Sequence, residues 1–418
     1  MAVKKFKKKL KLMIKCMEIN SIYEGDNIEI LSKFPNKSVN LIYADPPFFS
    51  DKHYEVIWND GAEIRAFQDR WKGGIQHYIS WMKPKLMECH RILKDTGSMY
   101  LHCDWHANSY LRILMDKIFE KKNFRSEIIW CYSRATSPKQ KTWGRMHDTI
   151  LFYSKGKKWT FNVDAVRLPY SESSKGREGF KKMFHKEGDL KGGKCELNPK
   201  GKFPEDWWQI PFIRPNATER LGYPTQKPLA LLERIIKASS NKGDIVLDPF
   251  CGCGTTLVAS QELERKWIGI DVSPTACKLM KKRMQKICKV NPLLVKGDVD
   301  LSYIKKLEPF EFQNWVVVDK FLGKVSDKKS GDMGIDGLTP QITGGYPIQV
   351  KQSEGVSRNV VDNFETAIRR INKKKGYIVA YSFGKGAYEE VARVKNKGEL
   401  EIVLRTAKEL LEGKVEND

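Results

Sequence analysis

Two acidic segments of the chain combine residue types that could do chemistry. Asp45-Pro-Pro-Phe48 follows the apolar residues 40–44, and Asp248-Pro-Phe-Cys-Gly-Cys-Gly-Thr-Thr256 follows the apolar residues 245–247. Two prolines directly after a strand predict an exit loop, because proline can continue neither a central strand nor a helix. Since α/β proteins place their chemistry at the carboxyl ends of strands, both segments are candidate parts of a functional site.

The segment that begins at Asp248 predicts a site for an adenosine-type cofactor. Gly252 and Gly254 let the backbone turn tightly and approach a ligand closely. The next apolar run ends in Asp271, 17 residues after Gly254, close to the ~20 expected of an acid that binds a ribose. The third glycine of the dinucleotide fingerprint is absent, and Asp248 would repel a pyrophosphate but suits the cationic amino group of S-adenosylmethionine (AdoMet). The alternative is a tight turn with structural glycines.

Short apolar runs alternate with helical patterns around both segments, which is typical of an α/β fold. Apolar spacing predicts strands at 19–23, 40–44, 97–102, 128–132, 245–247 and 267–270, and helices at 75–93, 109–119 and 256–263. Residues 156–222 are rich in aromatic side chains and lack this rhythm, which predicts a loop-rich recognition surface or insert. We therefore predict a basic tail at 1–16, a main unit at 17–292 and a separate small α/β unit at 293–418.

The charge of the chain indicates a polyanionic partner. The 418 residues include 74 Lys plus Arg against 51 Asp plus Glu, a formal net charge of +23, of which residues 1–295 carry +21. Neutralisation of phosphates is the usual source of affinity for nucleic acid, so nucleic acid is the expected partner. No run approaches the ~20 apolar residues of a membrane helix, and the basic N-terminal residues lack the apolar region of a secretory signal. The nine cysteines show no metal-site spacing, so we expect a cytoplasmic protein with reduced thiols and no membrane partner.

The motifs and their order resemble the β group of amino-directed DNA methyltransferases, which modify N6 of adenine or N4 of cytosine. Gly25-Asp26, Thr225-Gln-Lys-Pro228 and Trp267-Ile-Gly-Ile-Asp271 fit the same pattern, and the resemblance covers about residues 17–290. It implies a circularly permuted, Rossmann-like, AdoMet-dependent methyltransferase with a target-recognition insert at about 133–222. The AdoMet-binding residues that it implies are Asp26 at the adenine ring, Asp248, Gly252, Gly254 and Thr255 at the methionine end with Phe250 in the same loop, Lys227 at the approach to that end, and Asp271 at the ribose hydroxyls.

The resemblance also implies how a methyl group would be transferred. The exocyclic amino nitrogen of a base is a weak nucleophile, because its lone pair is delocalised into the ring. Hydrogen bonds from that amino group to the Asp45 carboxylate and the Pro46 carbonyl would aim the lone pair outward. Pro47 would help to fix this geometry, and Phe48 would stack on a base flipped out of double-stranded DNA. An acid at the first motif position usually accompanies adenine in this family, so we expect N6-adenine rather than N4-cytosine.

Basic residues of the recognition insert could contact phosphates or base edges. They are Arg134, Lys139, Lys141, Arg145, Arg167, Lys175, Arg177 and Arg214. His147-Asp148 also fits a pattern of the family, although a structural histidine is an equal alternative. The sequence leaves the oligomeric state open, with a homodimer as one expectation.

The smaller unit contains a short pattern of its own. Asp336 lies in Gly334-Ile-Asp-Gly337, and Gln349-Val-Lys351 ends a predicted strand that begins at Tyr346. An acid followed by a strand that ends in lysine suits a metal-dependent nuclease and resembles the Mrr-like branch of the restriction-endonuclease fold, with Mg²⁺ expected at Asp336. Gln349 stands where most of that superfamily has an acid and is a poorer ligand, and Glu311 could supply another carboxylate. A surface loop with a strand-edge lysine is the alternative.

Two functions of different class follow. The first is a DNA adenine methyltransferase with an attached nuclease-like unit, as in a single-chain restriction–modification protein. The second is a DNA nuclease or regulator whose methyltransferase half only senses AdoMet. The intact Asp45-Pro-Pro-Phe48 favours the first, because a sensor would not need the catalytic acid.

Overall fold

The computed structural model describes most of the chain. The described residues are 17–49, 52–57, 63–69, 73–133, 141–176, 196–214, 216–221, 225–296, 301–307, 309–326, 334–398 and 400–415. The predicted tail at 1–16 lies outside them, as do Arg134, Lys139 and Arg177. None of the helices in these ranges is long and apolar enough to cross a membrane.

The main unit is built on one large sheet. The strands, in chain order, are β1 (Ser21–Glu24), β2 (Val39–Ala44), β3 (Lys52–Ile57), β4 (Glu63–Asp69), β5 (Leu93–Cys103), β6 (Phe124–Cys131), β7 (His147–Ser154), β8 (Trp207–Gln209), β9 (Ile245–Asp248), β10 (Lys266–Asp271) and β11 (Leu293–Lys296). β3 and β4 pair with each other as a separate antiparallel hairpin. The other strands lie in the order β11-β1-β10-β9-β2-β5-β7-β6-β8. The first six are parallel, and β7 is antiparallel to both of its neighbours.

Helices cover both faces of this sheet. They are α1 (Asn27–Ser32), α2 (Gly74–Ile92), α3 (Asn108–Phe119), α4 (Glu172–Lys175), α5 (Leu229–Ser239), α6 (Thr255–Glu262) and α7 (Pro274–Arg283). α2 buries Tyr78, Met82 and Leu86 at helical spacing on one face of the sheet, and α5 buries Leu232 and Ile236 on the other. β2 supplies side chains to both layers, because successive residues of a strand point to opposite faces.

The two acidic segments end neighbouring strands. β2 and β9 are adjacent in the sheet, with Leu41 opposite Val246 and Ile42 opposite Leu247. From β2 the chain continues to β5 on one side, and from β9 it continues to β10 on the other. A change of direction of this kind leaves a crevice at the carboxyl ends of the strands. Asp45 and Asp248, about 200 residues apart in the chain, therefore meet at one edge of the sheet.

Most predicted elements of the main unit are confirmed, with bounds shifted by a few residues. The chief extension is β5, which begins directly after α2 at Leu93. The boundary predicted at residue 293 is wrong, because β11 pairs in parallel with β1 and is the edge strand of the large sheet. The described part of 156–222 contains only short elements, as expected, and β8 adds to β6 as a parallel strand.

The C-terminal residues form a second, smaller sheet. Its strands are β12 (Lys324–Val325), β13 (Gly337–Leu338), β14 (Pro347–Lys351), β15 (Lys375–Ala380) and β16 (Glu401–Thr406), in that spatial order. Its helices are α8 (Leu301–Lys306), α9 (Pro309–Asn314), α10 (Arg358–Arg370), α11 (Lys385–Asn396) and α12 (Ala407–Leu411). The first three strands are antiparallel and the last three parallel. This unit contacts the main unit, since Tyr303 donates a hydrogen bond to the carbonyl of Val272 (3.0 Å) and Lys278 pairs with Asp319.

Candidate active site

A cavity of about 610 Å³ opens at the carboxyl ends of β2, β9 and β10. It is lined by residues 45–48, by residues 248–253 and by Asp271, so both predicted segments face the same space. The volume lies within the range of about 300–1,000 Å³ that is usual for small-molecule sites.

Asp45 has two oxygen atoms in different surroundings. Lys227 Nζ donates a hydrogen bond to Oδ2 at 2.5 Å, and the Lys227 side chain is only 8% exposed. Oδ1 is buried and has no hydrogen-bond partner among the described residues. His102 Nδ1 lies 3.9 Å from Oδ1, too far for a hydrogen bond. Because buried polar atoms usually have a hydrogen-bond partner, this oxygen is a candidate acceptor for a donor group of a ligand.

Pro46, Pro47 and Phe48 continue from Asp45 along the cavity wall. The Pro47 carbonyl accepts a hydrogen bond from the Tyr78 hydroxyl of α2 (2.7 Å), which ties this loop to the helix. The Phe48 ring lies 5.4 Å from the His102 ring and 4.9 Å from Lys227 Nζ. The residues after β2 thus form a fixed loop with one aromatic face in the cavity.

His102 and Asp148 form a buried network behind Asp45 that the motifs alone did not predict. Tyr43 Oη lies 2.7 Å from His102 Nδ1, and His102 Nε2 lies 3.4 Å from Asp148 Oδ2. Tyr132 donates to the other oxygen of Asp148 at 2.9 Å. Burial acts to raise the pKa of Asp148, but the hydrogen bond and charge of His102 outweigh it, so the pKa of Asp148 is lowered. The sequence held one signal for this network, since His102 lies near the end of β5, the strand next to β2. The side chain of His147, the histidine of the family pattern, is exposed.

The Asp248 side chain organises the turn between β9 and α6. Its Oδ1 accepts from the Phe250 amide (3.0 Å) and its Oδ2 from the Thr256 hydroxyl (2.6 Å). Burial raises the pKa of Asp248 to about 7. Asp248, Phe250 and Gly252 line the cavity, and their contact with AdoMet stays a prediction.

Gly254 and Thr255 differ in their relation to this cavity. Gly254 is not among the residues that line the cavity, and its contact with AdoMet stays a prediction. It has a φ of +78° at the start of α6, and a Cβ there would lie 2.8 Å from Met280 Cγ. Thr255 lines the cavity, and its hydroxyl accepts a hydrogen bond from the buried Arg283 (3.0 Å). Arg283 also donates to the Cys253 carbonyl (3.1 Å) and supports the turn, a role that the sequence did not indicate.

Asp26 and Asp271 line the cavity at the ends of the neighbouring strands β1 and β10. The Asp26 side chain accepts from the Ile28 amide (2.8 Å) as the N-cap of α1. Asp271 Oδ2 accepts from the Gly252 amide (2.7 Å) and Oδ1 from the Ser273 amide (2.9 Å). Burial raises the pKa of Asp271 to about 6. These contacts join the tips of β9 and β10 at the cavity.

Glu311 lies in this cavity and not in a nuclease site. Ser273 Oγ donates a hydrogen bond to Glu311 Oε1 at 2.6 Å, and Glu311 lines the cavity, whereas Asp336, Gln349 and Lys351 do not. The expectation that Glu311 joins Asp336 is corrected accordingly: α9 packs against the main unit and directs this carboxylate there.

Asp336, Gln349 and Lys351 are brought together by β14. Asp336 Oδ2 accepts from the Val350 amide (2.7 Å), and Gln349 is buried with Oε1 unpartnered in the part of the chain that the structure describes. Gly334, at φ +82°, leaves room for the Gln349 side chain. Within the described ranges, the group of side chains spaced to hold a metal is Asp362, Glu365 and Glu390 and does not include Asp336. Asp336 and Gln349 offer one carboxylate and one amide oxygen here, and Mg²⁺ binding at Asp336 stays a prediction.

Among the basic residues proposed for recognition, the described members differ. Lys141, Arg145, Lys175 and Arg214 are exposed. The Arg145 guanidinium lies 3.7 Å from the centre of the half-exposed Trp105 ring, and Trp143 is 95% exposed. Arg167 instead donates to Asp164 and to the Gly201 carbonyl, so its guanidinium is used within the protein.

Comparison with known proteins agrees with this geometry. A family model described as DNA methylase, of the N6/N4 methyltransferase type, matches residues 39–282. The DNA adenine methyltransferase YhdJ of Escherichia coli K12 is 34% identical over 268 residues, which cover 64% of this chain and 83% of that protein. The type II methyltransferase M.BglII of Bacillus subtilis is 31% identical over 261 residues, 61% of this chain and 66% of that protein.

A solved structure of a DNA modification methylase from Thermus thermophilus, complexed with S-adenosyl-L-methionine, is also similar, at 20% identity and a TM-score of 0.44 over 67% of this chain and 99% of that chain. Residues 293–418 lie outside the family match, so their resemblance to an Mrr-like nuclease stays a prediction. Because the family model matches more than half of the sequence, the chain belongs to the DNA methylase family.

Proposed function

We propose that this protein transfers a methyl group from AdoMet to the exocyclic N6 of an adenine flipped out of double-stranded DNA. The observation that carries the proposal is that Asp45, which lines the same cavity as Asp248 and Asp271, has a buried Oδ1 without a hydrogen-bond partner among the described residues. Only an acceptor placed beside the methyl donor can direct an amino group towards it. The name of the Escherichia coli relative, a DNA adenine methyltransferase, supports adenine over cytosine.

Asp45 and Pro46 act on the target amino group. Oδ1 of Asp45 and the Pro46 carbonyl each accept one N–H, which turns the nitrogen lone pair outward. When bound, AdoMet supplies a methyl group that is already activated by the sulfonium, so the new C–N bond forms as the C–S bond breaks. The main task of the protein is then alignment, which can contribute up to ~7–11 kcal/mol. The nitrogen loses one proton to solvent to complete the reaction.

Lys227 and Phe48 position these groups. The Lys227 ammonium holds Asp45 Oδ2 and offsets part of the cost of burying the carboxylate, which leaves Oδ1 for the substrate. Phe48 offers a ring face to the flipped base. Lys227, which the resemblance assigns to the approach to the cofactor, thus contacts the catalytic acid directly.

Methyl transfer to unmethylated DNA, followed by mass analysis of nucleosides, tests the proposal. We expect N6-methyladenine from the wild-type protein and a loss of at least about 10³-fold in kcat for Asp45→Ala, with AdoMet binding retained, because the variant lacks an acceptor used only in transfer. The matched control is Asp95→Ala, an exposed acid paired with Lys37 on the surface, which should leave kcat unchanged. N4-methylcytosine without N6-methyladenine would overturn the adenine assignment, and AdoMet binding without any transfer would favour the sensor function.

DNA cleavage by the C-terminal unit is the second candidate function. It is favoured by β14, which carries Gln349 and Lys351 and whose Val350 amide donates to Asp336 Oδ2 (2.7 Å), so the pattern is brought to one place. Plasmid nicking by the wild-type protein and by Asp336→Ala, each with and without Mg²⁺, decides it. Equal nicking by both proteins would remove Asp336 from any nuclease site.

A further inference from the structure

Glu311 is a cavity residue that comes from outside the family match. It lies on α9, 29 residues past the last matched residue, and lines the cavity together with Leu307. The side chain is 4% exposed. Its Oε1 accepts from Ser273 Oγ, while Oε2 is buried without a hydrogen-bond partner in the described ranges. Burying a polar atom without a hydrogen-bond partner lowers the stability of the fold, so this oxygen is a candidate acceptor for a ligand group.

Ser273 joins Glu311 to the acid expected at the ribose. Its amide donates to Asp271 Oδ1 and its hydroxyl donates to Glu311 Oε1, so the two carboxylates share one residue. Both oxygens of Asp271 already accept from backbone amides, since Gly252 holds Oδ2. Asp271 therefore has less accepting capacity left than Glu311, whose Oε2 is unused by the described residues.

We propose that Glu311 is a further AdoMet-binding residue, which hydrogen bonds to a ribose hydroxyl through Oε2. This inference rests on the proposed function and adds to it that the C-terminal unit completes the cofactor site. Burial, together with the charges of Asp271 and Glu24, raises the pKa of Glu311 to about 8 despite the Ser273 hydrogen bond. The carboxyl group can therefore be protonated at neutral pH, and it makes one hydrogen bond to a hydroxyl in either state.

A consequence is that cofactor binding and the contact between the two units are coupled. α8 and α9 reach the cavity because Tyr303 and Asp319 fasten this segment to Val272 and Lys278. A ligand that bonds to Glu311 stabilises that contact, and the contact strengthens ligand binding by the same factor.

The test is the affinity of the full-length protein for S-adenosylhomocysteine and for its 2′-deoxy and 3′-deoxy analogues, measured by titration calorimetry. We expect Glu311→Ala to weaken binding of the parent compound about tenfold, the loss of one buried hydrogen bond. One deoxy analogue should bind the wild-type protein about tenfold more weakly than the parent, and this difference should vanish in Glu311→Ala. Glu311→Met, which keeps the length of the side chain and lacks a strong hydrogen-bonding atom, provides the same comparison if the alanine variant does not fold.

Glu24→Ala is the matched control. Glu24 ends β1, is also buried with Oε2 unpartnered within the described residues, and does not line the cavity. Its variant should bind within about twofold of wild type, and an equal loss in both variants would overturn the inference. Unchanged affinity of Glu311→Ala, or an undiminished deoxy penalty in it, would overturn it as well. Failure of the wild-type protein to bind S-adenosylhomocysteine at all would instead overturn the proposed function and this inference with it.

Discussion

At the scale of single residues, the chemistry depends on how the surroundings divide the two oxygens of Asp45. Lys227 holds Oδ2, and Oδ1 is left without a partner among the described residues. A carboxylate in this position would otherwise turn freely or pair with water. Under the proposed function, one fixed oxygen therefore makes the other a directed acceptor for the amino group of the base.

Lys227→Met should separate this role from cofactor binding. The substitution keeps the length of the side chain and removes the ammonium group from Asp45 Oδ2. We expect kcat to fall about 10²-fold, the usual effect of losing one electrostatic partner at a reacting group, and the Kd for AdoMet to change less than about threefold. Lys237→Met, which breaks a partly exposed ion pair with Glu233 away from the cavity, is the control. An increased Kd with unchanged kcat would place Lys227 at the cofactor instead.

Residue types at strand ends could be predicted from the sequence, but side-chain partners could not. Asp45, Asp248 and Asp271 were recognisable because each follows an apolar run. The partners of His102 and Glu311 depend on packing: His102 meets Asp148 across two neighbouring strands, and Glu311 reaches Ser273 through the docking of α9. No local pattern encodes those distances.

At the scale of elements, the turn between β9 and α6 is shaped by backbone conformation and by close packing. Gly252 and Gly254 both have positive φ, which L side chains rarely adopt. The sequence indicated a tight turn at these glycines, and the contact of Gly254 with AdoMet that the resemblance implies stays a prediction. The structure adds that Gly254 lies against Met280 of α7. The glycine is thus needed for the start of α6 and for the fit of α7 against it.

Gly254→Ala compared with Gly243→Ala should separate these two contributions. Both glycines have φ of +78°, but a Cβ at Gly243 meets nothing within 4 Å, while one at Gly254 lies 2.8 Å from Met280 Cγ. Gly243→Ala should lower the free energy of unfolding by about 1 kcal/mol through backbone strain. Gly254→Ala should cost about 1–3 kcal/mol more through overpacking, measured by urea titration. Equal losses in the two variants would show that the Met280 contact has no effect.

At the scale of the whole molecule, the basic tail and the main unit together carry nearly all of the excess positive charge, and the second unit is almost neutral. Residues 1–295 carry +21 of the net +23. The difference in charge between the two parts of the chain can be predicted from composition. The boundary between the two units cannot, because β11 is one more short apolar run and only its pairing with β1 assigns it to the large sheet. Nor does any local pattern indicate that Glu311 of α9 lines the cavity of the main unit.

This distribution predicts that DNA binding depends on the main unit. Arg145 is exposed beside Trp105 and the prominent Trp143. If it neutralises a phosphate, Arg145→Ala should reduce the slope of log K against log salt by about 0.9, because one fewer counterion is released. Lys385→Ala, on the exposed face of α11 in the near-neutral unit, should leave the slope unchanged. Fluorescence anisotropy with a labelled duplex at several salt concentrations measures both, and equal slopes for Arg145→Ala and wild type would exclude Arg145 from the DNA-binding surface.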